Sequence, residues 1–559
     1  MAAVVRRNVA RLRTAALDLQ AAMETRSVAR AKRLVYGAKK ERKTIEDTLE
    51  YIEMDLVVAT GDTVEQPLCI REAARELLSL ADALAGLAAY VDAEGLAGQP
   101  PPGRQADVDR LDALHYQLDL TVSTSTALLQ LVVPALSDAA QQSHIVTAAA
   151  EVAHASGAAL LAIHSAHERS AAWQASDHAM FAELMDEWAE HQCQLVCQLL
   201  AAGDGGKGVQ PAAADAAAQA WSPANLAAWL RAVTPVLDAI AASLGLAACS
   251  FVAPLGRLLG RLVQAKSARL QPHIQAFVAD WPLVEGCIRL LTACHEALVA
   301  APGWQEGLPY GQACDWGGKH EALVVDWALA WPHLLAHAEA AGRQQEALAL
   351  LALAASTTLS GEAQLLASMP LQLPQPASVP QTEAEEATTH HQTERLKECW
   401  TESIAAVGRV CLFLIQPAPH LPAAGSRRAW PAFRQLASTS TAVLRYCGQA
   451  QLPAGTHHKV IEAVDCWLTS AGAMCRRLSQ QGEPAAASAD EQREQAAAAA
   501  TLTNSLLRLL RLLPQLVRAL NGCQRTADCR CSLCGSVRFA YRINTYRLLH
   551  ALVTSLDGP

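Results

Sequence analysis

Four cysteines near the end of the chain are the residues whose types and spacing most directly suggest chemistry. They are Cys523, Cys529, Cys531 and Cys534. Cys531 and Cys534 belong to a Cys-x-x-Cys-Gly turn, which zinc sites use because both thiolates and the backbone amides can converge on one ion. A structural zinc site normally pairs two such turns, whereas Cys523 and Cys529 are more widely spaced. The cluster therefore predicts a zinc site, with a redox-active dithiol and an inert hairpin loop as the alternatives.

A second candidate is the segment 302–320, which is rich in glycine and aromatic residues and is predicted to be a long loop. It carries Cys314, Asp315 and His320. A Cys–His nucleophile pair would require the two side chains to meet in space, which their spacing cannot show. The alternative is a loop held in place by its aromatic residues, Trp304, Tyr310 and Trp316.

Further histidines and cysteines recur at helical spacing. His333 and His337 fall on one predicted stripe with Asp326 and could share a metal, while Cys193 and Cys197 lie one turn apart. We expect ordinary helix surface or core positions at both sets. The sequence contains no P-loop, Rossmann glycine fingerprint, Gly-x-Ser-x-Gly elbow or kinase signature, which favours a non-enzymatic role.

The segment 505–520 predicts a basic, strongly amphipathic helix. Arg508, Arg511 and Arg518 line one of its faces. Such helices fill a partner's groove or lie on anionic membranes, and these three arginines are therefore the predicted partner-binding residues. The alternative is a helix that faces its own core and exposes an arginine stripe to solvent.

The composition indicates which elements must position these residues. Alanine and leucine dominate, while aromatic residues make up 5% and charged residues 18% of the 559 residues. Ala and Leu are strong helix formers, whereas strands favour β-branched and aromatic residues. Helical periodicity runs through the chain without a convincing alternating strand. We therefore predict an all-α protein of stacked helical hairpins, either an α-solenoid-like array or linked helical bundles, with a small N-terminal helical unit.

Trp-Pro pairs support helix starts at regular intervals. They occur at 281–282, 331–332 and 430–431, and Trp221-Ser-Pro223 is a looser relative. Proline suits the first helical turn because its missing N–H costs nothing there. Intervals of about 50 residues and twice that length are typical of stacked helix pairs, with chance as the alternative.

Glycine- and proline-rich segments mark the predicted domain boundaries. The longest uncharged apolar stretch, Ala239 to Gly256, predicts a buried helix rather than a membrane span. The predicted divisions are a basic helical hairpin or three-helix unit at 1–95, long helices at 107–202 broken near Pro134 and Gly157, a helical array at 212–368, a linker at 369–394, a second array at 395–480, and a C-terminal hairpin with the cysteine cluster at 488–559.

Charge is distributed unevenly along the chain. The formal net charge of −9 combines +9 in residues 1–43, +6 in residues 501–559 and −24 between them. Two basic ends therefore flank an acidic body. This layout can fold back on itself, or it can offer the ends to RNA, to a peripheral membrane contact or to an acidic protein.

Cysteine usage and the N-terminus bear on location. The sixteen cysteines are scattered, and Arg6 and Arg7 interrupt any secretory apolar segment, so we expect an intracellular, reducing compartment. Residues 1–30 are arginine-rich and nearly free of acidic residues. We interpret them as part of a folded helix pair in a cytoplasmic protein, and a chloroplast or mitochondrial transit peptide is the alternative.

Residues 44–55 followed by 70–75 resemble the second and third helices of the BAG co-chaperone domain, in which acidic residues on one helix precede an arginine-rich start to the next. The resemblance implies three antiparallel helices over residues 1–93 and binding to the nucleotide-binding domain of a heat-shock chaperone. No site residue is carried over, because Arg71 and Arg75 lie four residues apart where the family shows a closer basic cluster.

Together these patterns predict a non-enzymatic helical scaffold or adaptor that mediates protein–protein interaction. One alternative is a metal-binding or thiol-redox protein that uses the C-terminal cysteine cluster. Another is an RNA-associated organelle factor that uses the basic ends.

Overall fold

The computed structural model describes residues 143–169, 175–206, 209–301 and 310–368, with a few single positions between 71 and 136 and at 493. The chain divides into two compact units, residues 1–287 and 288–559. Most of the described residues are helical and no strand occurs among them, so the prediction of an all-α fold is confirmed.

Seven α-helices begin within the described part of the first unit, and the last of them continues into the second. They are α1 (Ser143–Arg169), α2 (Ala175–Gly203), α3 (Pro211–Ala220), α4 (Pro223–Leu244), α5 (Val252–Gln264), α6 (Gln271–Ala279) and α7 (Trp281–Ala300).

The described part of the second unit contains the end of α7 and a further run of helices up to residue 368. They are α8 (Tyr310–Glu321), a π-helix (Ala322–Trp327), a 3₁₀-helix (Ala328–Ala330), α9 (Trp331–Ala340) and α10 (Gln344–Ser368). The prediction of a loop throughout 302–320 is therefore wrong from Tyr310 onward, because its glycines and aromatic residues are accommodated in a helix.

The predicted helix starts are confirmed where the structure describes them. α7 begins at Trp281, just before Pro282, and α9 begins at Trp331, just before Pro332. The start of α4 is capped by Ser222, whose hydroxyl accepts a hydrogen bond of 3.2 Å from the backbone N–H of the third helical residue. The Trp-Pro pair at 430–431 lies outside the described residues.

Tryptophan fills gaps between close-packed helices in the first unit. There α1 packs against α2, α3 and α4, while α2 also contacts α3, α4 and α5. Trp188, Trp221 and Trp229 are fully buried in this core. The rings of Trp221 and Trp229 meet edge to face with 6.3 Å between their centroids, a favourable arrangement for aromatic pairs.

Gly157 does not interrupt a helix, contrary to the sequence-based prediction, and α1 continues through it. A Cβ atom at this position would lie 2.7 Å from Cδ1 of Trp229. The indole is held in place because its Nε1 donates a hydrogen bond of 3.0 Å to Oε1 of Gln192. The glycine therefore serves close approach between α1 and α4 rather than helix termination.

The apolar stretch Ala239 to Gly256 is not one buried helix, so that prediction is also wrong. α4 ends at Leu244, and Gly245 adopts a φ of 83°, a left-handed conformation that favours glycine. α5 begins only at Val252. The segment combines the end of α4, where Ile240 and Ala241 are buried but Ala242 and Ser243 are exposed, with a turn and the buried start of α5.

The start of α5 is capped from another helix. Phe251 at the N-cap position cannot cap the helix with its own side chain. The carboxylate of Asp186 on α2 accepts hydrogen bonds from the backbone N–H groups of Ser250, at 2.7–2.8 Å, and of Phe251, at 3.2 Å. A negative charge at a helix N-terminus also complements the helix dipole.

Two described helices are long and apolar enough to cross a membrane. The windows are Ser143–Ala162 and Pro223–Leu244, and 72% and 50% of them, respectively, are buried inside the fold. Core helices of this length and composition satisfy the same criterion.

The described cysteines are core residues. Five of them are buried thiols, namely Cys193, Cys197, Cys249, Cys287 and Cys294. Burial raises the pKa of the Cys287 thiol to about 12, and it raises that of Cys193 still further. Both of these thiols are therefore neutral and unreactive at physiological pH. The burial of Cys193 and Cys197 confirms the expectation of ordinary core positions there.

We predict that Gly157→Ala lowers the free energy of unfolding by about 1–3 kcal/mol, because the new methyl group must displace the Trp229 indole. Gly286→Ala on α7 is a matched control, since its Cβ would meet only Thr234 Cγ2, at 3.8 Å. The control should be neutral or should stabilise by up to ~1 kcal/mol through helix propensity. Urea unfolding of the full chain followed by tryptophan fluorescence measures both. Equal changes for the two variants would contradict this account.

Candidate functional site

Three helices of the second unit bring two histidines and a glutamate to one buried place. His295 comes from α7, His320 from the last turn of α8 and Glu362 from α10. Their side chains are 0–3% exposed. One nitrogen from each imidazole and one carboxylate oxygen all lie within 4.8 Å of one another. We call these residues the His–Glu–His triad.

Both imidazoles hydrogen-bond to the same carboxylate oxygen. Nε2 of His295 lies 2.7 Å, and Nε2 of His320 lies 2.6 Å, from Oε1 of Glu362. An ionised carboxylate only accepts hydrogen bonds, so both Nε2 atoms carry hydrogen in this arrangement. When either imidazole is neutral, its lone pair is therefore on Nδ1.

The electrostatics of the triad keep Glu362 ionised. Burial by itself raises the pKa of the Glu362 carboxyl group, since it penalises the charged form. Attraction to His320, together with hydrogen bonds from both imidazoles, outweighs burial and holds the pKa below its usual range. The triad thus keeps a carboxylate in a core where an unpartnered charge would be very costly.

Gly361 provides the space that His295 occupies. A Cβ atom at position 361 would lie 3.0 Å from Cε1 and 3.3 Å from Nδ1 of His295, closer than most real Cβ contacts. The small residue before Glu362 thus lets α7 approach α10 until the imidazole reaches the carboxylate. His295 Nδ1 is buried there without a hydrogen-bond partner.

Trp316 positions the second histidine. Its ring stacks on His320 with centroids 5.0 Å apart and an interplanar angle of 11°. The indole Nε1 donates a hydrogen bond of 3.2 Å to the backbone carbonyl of Leu298 on α7. The tryptophan therefore restrains the imidazole and fastens α8 to α7 in the same place.

The helix changes from α to π geometry two residues after His320. α8 ends at Glu321, and Ala322–Trp327 continue as a π-helix before the short 3₁₀-helix. π-helical turns are rare and occur frequently at functional sites, because the extra residue shifts the register of the side chains around it.

The donor atoms define what the triad can do chemically. Two imidazole nitrogens and one carboxylate oxygen are a ligand set that zinc and non-haem iron sites use. The same groups can also act only as a buried hydrogen-bonded network that joins three helices.

Of the other candidates in segment 302–320, the structure describes the side chain of Asp315. Asp315 is exposed and forms an ion pair of 2.8 Å with Lys319 one turn later. Nε2 of His320 lies 2.6 Å from the Glu362 carboxylate, so its partner in the structure is a carboxylate. The side chain of Cys314 lies outside the described residues.

Among the described residues the triad is the one group of three or more metal-type side chains that converge. Asp326, His333 and His337 do not form such a group, since Asp326 falls in the π-helix and His333 is exposed on α9. This agrees with the expectation of ordinary helix positions.

The predicted site residues near the C-terminus lie outside the described residues. The zinc prediction for Cys523, Cys529, Cys531 and Cys534 and the partner-binding prediction for Arg508, Arg511 and Arg518 therefore stay predictions. Of the region that resembles a BAG domain, Arg71 is described, and its guanidinium makes an ion pair of 2.8 Å with Glu151 on α1.

Sequence reasoning did not single out His295 or Glu362. Both lie in mostly apolar helices, although Glu296 directly follows His295, and Ser360 and Gln364 flank Glu362. The available signal was Glu362 itself, a glutamate in a mostly apolar helix with no basic residue three or four positions away. Such a carboxylate needs a partner from elsewhere in the fold.

No protein-family model matches this chain, and no curated protein sequence matches it. Among solved structures, one match is a circular tandem repeat protein with novel repeat topology and enhanced subunit contact surfaces. It is 11% identical, the alignment covers 100% of this chain and 99% of the other, and the TM-score is 0.24. A similarity of that TM-score carries no argument about fold or function.

We predict that Glu362→Gln makes the stability of the protein less sensitive to acid. The folded-state pKa of Glu362 lies below its unfolded value of about 4.3, so its interactions stabilise the fold above that pH and are lost as the pH falls further. The variant should be less stable near neutrality by about 1–3 kcal/mol. It should also lose less stability than the wild type between about pH 5 and pH 3.

Urea unfolding at a series of pH values measures this difference. Glu296→Gln is the control, because Glu296 neighbours His295 in sequence but is exposed on α7. Parallel stability–pH curves for the wild type and Glu362→Gln would show that the carboxylate is not held ionised by the two imidazoles.

Proposed function

We propose that this protein is a non-enzymatic scaffold or adaptor that mediates protein–protein interaction. The observation that carries the proposal is the architecture of the described residues, in which helices pack around cores of alanine, leucine, valine and tryptophan. Such helical arrays offer long outer faces on which partners can bind.

The charge layout supports this function. The acidic body would attract basic surfaces, and the basic ends would attract acidic ones, because complementary charge speeds association and selects partners. On α2, for example, Glu183 and Glu187 lie exposed one turn apart. Binding of this kind weakens as salt increases.

The basic helix predicted at 505–520 is the proposed partner-binding segment. Its arginines, Arg508, Arg511 and Arg518, would bind an acidic groove on another protein. RNA and anionic membranes present negative charge as well, so both serve as alternative outcomes in the test below.

We predict that crosslinking in the native cell, followed by purification under denaturing conditions, recovers a stoichiometric protein partner. A variant with Arg508, Arg511 and Arg518 replaced by glutamine should bind that partner on the order of tenfold more weakly, since it loses three charge contacts. Binding of the purified proteins is compared at low and physiological salt.

The control variant replaces Arg261, Lys266 and Arg269, three exposed basic residues of the first unit, by glutamine. It removes the same charge elsewhere and should bind as the wild type does. Recovery of RNA or lipid without a protein partner would overturn the proposal, as would a lone monomer at low salt.

A further inference from the structure

We propose that His295, His320 and Glu362 form a binding site for one divalent transition-metal ion, with Zn²⁺ as the best fit to the donor atoms. The site lies within the described part of the second unit. It uses none of the residues of the C-terminal cysteine cluster, and it does not depend on the proposed scaffold function.

The chemistry of the donors supports this assignment. Imidazole nitrogen and carboxylate oxygen are the ligands of catalytic and structural zinc sites, whereas Mg²⁺ and Ca²⁺ favour sets made of oxygen alone. Three protein donors leave one position of a tetrahedral zinc ion for water or a further ligand. The ionised Glu362 would also offset part of the charge of the cation.

The geometry lies close to that of a zinc site. Ligand atoms around a tetrahedral zinc ion are about 3.3 Å apart, since each bond is about 2.0–2.1 Å long. The two Nε2–Oε1 distances are 2.6 and 2.7 Å, and all three donor atoms fall within 4.8 Å. Each hydrogen-bonded pair would open by roughly 0.6 Å on binding, and the two imidazole nitrogens would settle at the same spacing, movements within the range of side-chain torsions.

The burial of the triad gives the second argument. Buried ionisable groups are costly, and apolar residues of similar volume often stabilise a core as well or better. Here three such groups come from three different helices into a unit whose described core is mostly alanine, leucine, valine and tryptophan, with Lys319 and Thr358 as its other buried polar residues. Buried, mutually interacting titratable groups of this kind are characteristic of functional sites.

The surrounding structure holds the ligands in place. Trp316 stacks on His320, Gly361 leaves room for His295, and the π-helix begins two residues after His320. Metal sites depend on such supporting contacts, which orient the ligands before the ion arrives.

Metal binding changes the protons of the triad. Zn²⁺ takes the place of the two Nε2 hydrogens, each of which moves to Nδ1 of its own ring or to solvent. Glu362 needs no deprotonation, because its pKa already lies below the usual carboxyl range.

The test uses the full chain with Cys523, Cys529, Cys531 and Cys534 replaced by serine, which removes the other predicted zinc site. Zinc content is measured by elemental analysis after equilibration with Zn²⁺ and removal of the excess. We expect about one zinc per chain, and a higher urea midpoint with Zn²⁺ than with Mg²⁺. Co²⁺ should give ligand-field absorption without the thiolate charge-transfer band of a cysteine site.

Variants of the same background locate the ion. Glu362→Gln and His320→Gln should each lower zinc affinity by at least about a hundredfold, as loss of a ligand costs more than loss of a supporting contact. His333→Gln changes an exposed histidine of α9 and should bind zinc as the background does.

Two outcomes would overturn the proposal. One is a folded, helical background protein that holds less than about a tenth of a zinc per chain and whose urea midpoint does not respond to Zn²⁺. The other is equal loss of zinc in His333→Gln and Glu362→Gln. The response of the background protein itself keeps the test decisive if a triad variant fails to fold.

Discussion

Buried charged and polar groups link these helices to one another, because leaving such a group unpartnered in an apolar core is costly. The carboxylate of Glu362 depends on imidazoles from α7 and α8, and the Asp186 carboxylate caps α5 from α2. The Trp229 indole donates to Gln192 across the first unit. Each of these contacts fixes the spacing and rotation of two or three helices, a degree of specificity that alanine and leucine packing alone would not provide.

Close helix approach is the other side of the same constraint. Gly157, beneath Trp229, and Gly361, beside His295, lack the Cβ atoms that would hold the helices apart. A large side chain from one helix then fills the space that a small residue on another leaves open. Tryptophan, which outnumbers phenylalanine in this chain, packs the gaps between helices at the described positions.

A scaffold and a metal site are compatible in one chain. In the second unit the triad already connects α7, α8 and α10 through hydrogen bonds, and a zinc ion bound there would strengthen the same connection. Partner binding, as proposed, depends instead on exposed charge and on the basic ends. The two proposals therefore concern different residues, and each can stand without the other.

Local interactions made much of the fold predictable from sequence. Alanine, leucine and the Trp-Pro starts of α7 and α9 act within four residues along the chain, so the all-α fold and these boundaries followed directly. The sequence-based predictions were wrong at Gly157 and from Tyr310 to His320, where glycine is accommodated in a helix. Its role there depends on neighbours elsewhere in the fold. The triad joins residues 67 and 42 positions apart. His320 was therefore noticed without its partner, and only tertiary structure could decide which distant side chains satisfy the charge of Glu362.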